Sequence, residues 1–438
     1  MILTLVVFGA AVLLWVCTPL DDTYVALAAV AALVLSGVLP ASSLAALGNS
    51  TTWLLIAAFV LAAGVTASGL PVRLASWLMS RARTVRGLAH LTALALLITA
   101  FFVPSTSGRA ALSLPVYESL RSTMNSRVSR AFGVLFPSVI LLTAVASLVG
   151  AGAHLITTSL LETATGQGIG FGWWLLLGVP LAVVSAHVTA EIVLWLFTTR
   201  ADRVALFTTH ADRAARSEGP LQGVPCSNSP RQHRQFSALA RPEWTALVVV
   251  LTVSAAWLSE PWHHVRPEVV ALAGALVITA PRLGTTTTKK AFADIPWSLL
   301  VFMAATTMLG TALIESGAAH LMAGLVTTDR LLITVVVVSL CAHLVIQSRS
   351  ARSSVLIPIV IPLAITAGMN PAALALASTA AAGFCHTLTS SAKPVALFAD
   401  AYEPKDLLKL SAVLAPVTGL LVLGSATLLW PLLGLPLK

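Results

Sequence analysis

Ten apolar runs follow one another along this chain, at 2–17, 24–40, 52–70, 130–150, 172–198, 243–258, 267–280, 297–314, 371–385 and 407–435. Such a pattern leaves few folds open. A helix crossing the hydrocarbon core of a bilayer needs about 20 mostly apolar residues. Shorter runs are accommodated by tilt or local thinning. Hydrophobic residues make up 57% of the chain and charged ones 10%, too little polar surface for a water-soluble protein of this length. The chain therefore reads as an all-α polytopic membrane protein. The first run lacks the basic start and small-x-small site of a cleavable signal peptide. Cys17, Cys226, Cys341 and Cys385 show no pairing pattern and no CxxC, which sets aside a disulfide frame and a cysteine metal site. The formal charge of +9 lies mostly in short connections between runs, as membrane topology requires and nucleic-acid binding does not.

Landmarks recur in the two halves. Trp53 opens an apolar helix ending at Ser68-Gly69, and Trp297 opens one ending at Ser316-Gly317. Next comes STSGRAALSLP (Ser105 to Pro115) in the first half and SRSARSSVLIP (Ser348 to Pro358) in the second. Both fit S-x-S-[GA]-R-[AS]-[AS]-[LV]-x-[LI]-P without a gap. The chain thus divides into a first repeat at 1–200, a linker at 201–242 holding Pro220, Pro225, Asn228 and Pro230, and a second repeat at 243–438. Each repeat reads as five spanning helices plus one re-entrant hairpin, near 88–117 and 330–366. An odd number of spans per repeat inverts the second against the first.

The basic residues orient this layout. With the linker in the cytoplasm, nineteen of the 26 Lys and Arg fall inside, from Arg73, Arg81 and Arg83 to Lys405 and Lys409. Arg266, Arg330 and Lys438 fall outside. That bias is the positive-inside pattern, with both termini outside. Arg109, Arg349, Arg352 and Lys393 remain at membrane depth, each costing roughly 2.5–3.5 kcal/mol at a helix centre. Snorkelling or pairing with helix carbonyls would serve for one such cation. Four together, with acids scarce nearby, point to an anion site facing a watery cleft.

The serine motifs suit that site. Backbone at a hairpin tip is tolerated at membrane depth only where it lines a cavity, and half-helix amino termini attract anionic groups. Ser105, Thr106 and Ser107 fill this role in the first hairpin, and Ser348, Arg349 and Ser350 in the second; small-residue helix packing is the plainer alternative. After each hairpin comes a helix with a polar interruption. The first, ASLVGAGAHLITTSLLE, holds Gly150, His154 and Thr157; the second, GFCHTLTSSAKPVALFAD, holds His386, Ser391 and Lys393. The histidines are candidate proton carriers or packing residues.

With these motifs the chain resembles the divalent-anion:sodium symporter (DASS) family. PSTSGRAALSLP resembles the P-S-N-T-A-R variant of its plastid and bacterial dicarboxylate translocators. ASLVGAGAHLITTS and TLTSSAKPVALFADAYEPKDLLK resemble its two glycine-rich helices ending in T-P-P-N, with Thr157 and Ser391 on the threonines. The resemblance implies a homodimeric elevator in the inner (plasma) membrane, carrying C4-dicarboxylate, citrate or sulfate, often with sodium held near Ser105 and Ser348. Gly150, His154 and His386 become candidates for coupling a cation. The chain departs from the pattern where the motif asparagines are Thr106 and Arg349, and where those of T-P-P-N are Leu160 and Pro394. A guanidinium beside a sodium site repels the ion, so proton coupling or anion exchange is expected alongside sodium. Relative to the family, the chain is expected to begin after its first helix. An oxyanion efflux permease of the same superfamily is the alternative function. An enzyme built on His154, His386 and Glu162 is remote, for no HExxH, GxSxG or metal-spaced aspartate pair is present.

Overall fold

The computed structural model describes residues 1–18, 20–103, 105–204, 239–318, 321 and 330–438. Most of the expected linker, 205–238, lies outside the described residues. The regular structure is helical, with no strand elements among the described residues. The first half holds α1 (Ile2–Cys17), α2 (Asp22–Leu35), α3 (Ser50–Ser68), α4 (Leu70–Met79), α5 (Val85–Thr99), α6 (Thr106–Arg121), α7 (Ser126–Leu142), α8 (Gly152–Thr165) and α9 (Phe171–Phe197). The second holds α10 (Arg241–Leu258), α11 (Pro267–Ile278), α12 (Trp297–Glu315), α13 (Leu331–Cys341), α14 (Arg349–Thr366), α15 (Pro371–Ala381), α16 (Lys393–Leu397) and α17 (Pro404–Gly424).

Local chemistry sets many of the starts. Asn49, Thr84, Asn125 and Asn370 cap α3, α5, α7 and α15 with side-chain oxygens that accept from the first-turn N–H groups. Ser105 and Ser348, the first residues of the two motifs, do the same for α6 and α14. Gly69 ends α3 in the left-handed conformation, φ 78°, which a side chain would resist.

Among the described residues, six segments are long and apolar enough to cross a membrane: Ala41–Ser68, Ser126–Ala146, Phe171–Phe197, Trp297–Glu315, Arg349–Thr366 and Pro404–Leu432. Five of them fall on the ten apolar runs; the sixth is α14, expected as a hairpin arm. Several other runs form shorter helices, because α15, for example, ends at Ala381 where the backbone leaves the helix. The outer surface is apolar, with Leu420 68% and Leu276 65% exposed, as a lipid-facing wall requires.

The halves pack reciprocally. α2 lies on α12 and α11 lies on α3. α8 of the first half packs on α14 of the second, and α16 of the second packs on α6 of the first. Each segment after a break is thus seated in the opposite half.

Candidate functional site

α7 stops at Leu142, and the chain turns through two short 3-10 segments, Thr143–Ala146 and Leu148–Gly150, before α8 begins. Such a break frees backbone carbonyls, and each buried one needs a donor. Side chains supply them. Arg109 Nη1 donates to Ile140 at 2.9 Å, Arg349 Nη1 to Leu141 at 3.3 Å and Trp174 Nε1 to Val145 at 3.0 Å. His154 Nδ1 donates to the Ser147 carbonyl at 2.9 Å. The turn is too tight for a side chain at Gly150, where a methyl would lie 2.2 Å from the Ala144 carbonyl oxygen.

The second break follows α15. Arg352 Nη2 donates to Ala382 at 3.0 Å, and its Nη1 to Ile346 at 3.3 Å. Arg109 holds the same motif position in the first hairpin, where its Nη2 donates to Leu96 at 2.6 Å and to Thr143 Oγ1 at 2.8 Å, and its Nε to Thr99 Oγ1 at 3.0 Å. Both arginines are 0% exposed. Each ties its hairpin tip to the break beside it.

Arg349 behaves differently. From the second tip it crosses to the first break, meeting Leu141 and also His154 Nε2 at 3.0 Å. It also lies against the second break, where a methyl at Gly383 would come 3.0 Å from its Nη2. Its Nε is shielded from solvent and has no partner. Arg349 is close enough to Arg109 and Arg352 for their charges to repel. Among the described residues none of the three is paired with a carboxylate; the ion pairs lie elsewhere. Among the described residues, eight buried side-chain polar atoms lack a partner, and five of them flank the tips and breaks: Ser147 Oγ, Arg349 Nε, Arg352 Nε, Ser353 Oγ and His386 Nε2. Buried polar atoms are nearly always hydrogen-bonded, so a water or a polar ligand is the natural partner of such orphans.

Not every expected residue reaches this cluster. Arg109 donates to carbonyls and threonine hydroxyls, and both Nη atoms of Arg352 donate to carbonyls, which corrects their reading as cleft-facing cations: the broken helices need those donors. Thr157 is fully buried and shares its hydroxyl with Thr379 of α15 at 2.6 Å. Ser391 is buried too, its Oγ accepting from the Leu388 N–H at 3.0 Å. Both therefore face protein rather than an open cleft. Lys393 is exposed at the start of α16. Thr106, Ser107 and Ser350 are half-buried in the first turns of α6 and α14. Ser350 Oγ would be 3.2 Å from a methyl at Gly152, so the second tip rests on the start of α8. His386 is fully buried beside Phe384, with ring centroids 4.9 Å apart and the rings inclined by 59°.

Two features escape a reading of the sequence. Asp22, at the start of α2, lies near Ser348 and Lys393; its signal was the Asp21-Asp22 pair opening an apolar run. On the seam of α5 and α9, His90 Nδ1 meets His187 Nδ1 at 2.9 Å and His90 Nε2 meets Glu191 at 2.6 Å, with Arg86 2.7 Å from the same carboxylate. There the signal was the four-residue spacing of His187 and Glu191.

A family model described as the sodium:sulfate symporter transmembrane region matches residues 2–435. The chain belongs to that family. This sodium:sulfate symporter family member is also 23% identical to a Cupriavidus necator membrane protein over 337 residues, which cover 73% of the chain and 62% of that relative's length. Its fold is similar to that of the Alcanivorax borkumensis YdaH transporter, described as having an unusual topology. There the TM-score is 0.55 and the identity 17%, over 90% of this chain and 87% of the other. The chain is thus an integral membrane protein of a transporter family.

The family description brings in sodium, and only part of the oxygen at the tips and breaks is free to hold it. A sodium ion would need the free oxygens of the tips and breaks. Here the Leu96, Ile140, Leu141, Ile346 and Ala382 carbonyls are engaged by guanidinium donors. Each donor brings a positive charge that opposes a second cation.

Proposed function

We propose that the chain is a secondary active transporter of a small di- or trivalent anion, of dicarboxylate, citrate or sulfate type. One observation carries the reading: three guanidinium groups, two of them fully buried, converge on the helix breaks without a carboxylate among them. Unpaired charge in that setting is costly unless an anion arrives to balance it. In this reading Arg349 is the direct ligand. The half-buried hydroxyls of Ser105, Thr106, Ser107, Ser348 and Ser350 and the amino-terminal ends of α6 and α14 supply further donors. Arg109 and Arg352 hold the tips that present them, and Lys393 lies near the second tip.

The two halves are proposed to lie inverted in the inner membrane, and the protein to work as a homodimer by an elevator motion. Hairpins and broken helices would move past α1–α3 and α10–α12. Supporting that division, α2 with α12 and α3 with α11 pack upon each other. The family assignment argues against an enzyme.

Uptake of radiolabelled succinate and sulfate into liposomes holding the purified protein tests the proposal, with sodium and pH gradients imposed separately. Saturable uptake of either anion is expected. Arg349→Gln removes a charge-assisted bond worth about 1.5–3 kcal/mol, so apparent affinity should fall about 10–100-fold. Uptake by the variant at wild-type affinity would sink the site.

A further inference from the structure

His154 sits where the two halves meet, fully buried, with its ring 4.9 Å from that of Trp174 of α9. Its two nitrogens have partners of opposite kinds. The Ser147 carbonyl can only accept, so Nδ1 carries the hydrogen. The Arg349 guanidinium can only donate, so Nε2 offers its lone pair. These partners fix a neutral ring in a single tautomer.

The neighbouring charges are of one sign. Arg349 on α14 and Arg109 on α6 act on the ring, and Arg352 stands behind Arg349. The other elements packed against α8 bring uncharged groups: Leu299 and Met303 from α12, Thr379 from α15 and Trp174 from α9. His386 in the second break feels Arg349 and Arg352 as well. No carboxylate among the described residues pairs with His154.

We propose that His154 is a proton-binding site that the transported anion switches on, so that one proton travels with each anion. This rests on the anion-transport reading above. A carboxylate or sulfate oxygen accepts from a guanidinium more strongly than a neutral imidazole does. An arriving anion therefore takes Arg349 Nη2 away from Nε2. The freed lone pair then faces a negative charge in place of a positive one, and a proton from water on the open side binds there. Imidazolium and guanidinium together balance a dianion. When the anion leaves, Arg349 returns to Nε2 and the proton departs with it. No oxygen-ligated metal ion is needed in this cycle.

The test is proton uptake on binding, followed with a pH-sensitive dye in weakly buffered detergent solution. Potassium succinate is added at about pH 8, where both carboxylates are ionised, with potassium sulfate in parallel. Wild-type protein should take up about one proton per anion bound, and its affinity should rise up to about tenfold per unit fall in pH. His154→Gln keeps an acceptor for Arg349 but cannot hold the proton. Its binding, read by calorimetry, should lose the pH dependence and the proton uptake together.

Saturable binding by wild type without proton uptake overturns the proposal, even if the variant does not fold. Proton uptake that persists in His154→Gln overturns it too. If neither anion binds wild type at all, the anion-transport reading fails first and takes this one with it.

Discussion

Arg109 and Arg349 both carry an unpaired positive charge into the protein, but they spend it on different partners. Arg109 donates to two carbonyls and two threonine hydroxyls. Arg109→Gln should leave carbonyls without donors at about 1–3 kcal/mol each, read as a lower unfolding temperature in detergent and a smaller yield of folded protein. Arg349→Gln retains an amide donor for Leu141, so its unfolding temperature should stay close to wild type while anion affinity drops. Equal thermal losses in both variants would undo this division of labour. The sequence makes the depth of these arginines legible, and their repetition in one motif. It does not reveal which guanidinium meets backbone and which meets ligand, because that depends on where α7 and α15 stop. Asp22 was hidden for a related reason: its neighbour Ser348 lies more than three hundred residues along the chain, and only tertiary packing joins them.

Breaks rather than helices distinguish this fold from a plain bundle. Both are apolar stretches, ASLVGAG and AAGFCH, so hydropathy registers residues that avoid water without registering where the backbone leaves the helix. That is why the run at 371–385 reads as a span, while α15 ends at Ala381. Gly150 is the clearest mark of a break. Its Cβ position is blocked by a backbone oxygen, which cannot move aside as a side chain could. Gly150→Ala should therefore cost at least about 1–3 kcal/mol of strain and abolish uptake, whereas Gly172→Ala, which meets nothing within 4 Å, should do neither. Transport by Gly150→Ala at the wild-type rate would mean that the first break relaxes more freely than its contacts imply.

Across the whole molecule, the halves are also tied by a charged contact between α7 and α17. Arg130 of α7 grips Asp406 of α17 through two bonds of 2.5 Å and reaches Glu403 at 3.0 Å. Asp406 is only 4% exposed. Arg130→Ala would leave the buried Asp406 carboxylate with the Glu403 N–H but no opposite charge, at a cost of about 3–5 kcal/mol, measured as a fall in thermal stability. Asp406→Asn in the same background should restore part of it. No recovery would show that the loss came from packing of the arginine stem.

The exchange of α8 and α16 between halves also bears on how such a protein is assembled. Each half carries an arm whose seat lies in the other, so neither can bury its own surfaces alone. Made as separate fragments, 1–204 and 239–438 should accumulate only when produced together, each rescuing its mate from proteolysis. Fusing them into one polypeptide turns a chance encounter in the bilayer into a tethered one, with an effective concentration in the millimolar range. Fragment complementation therefore measures how much of this transporter's integrity comes from mutual embrace rather than from continuity of the chain.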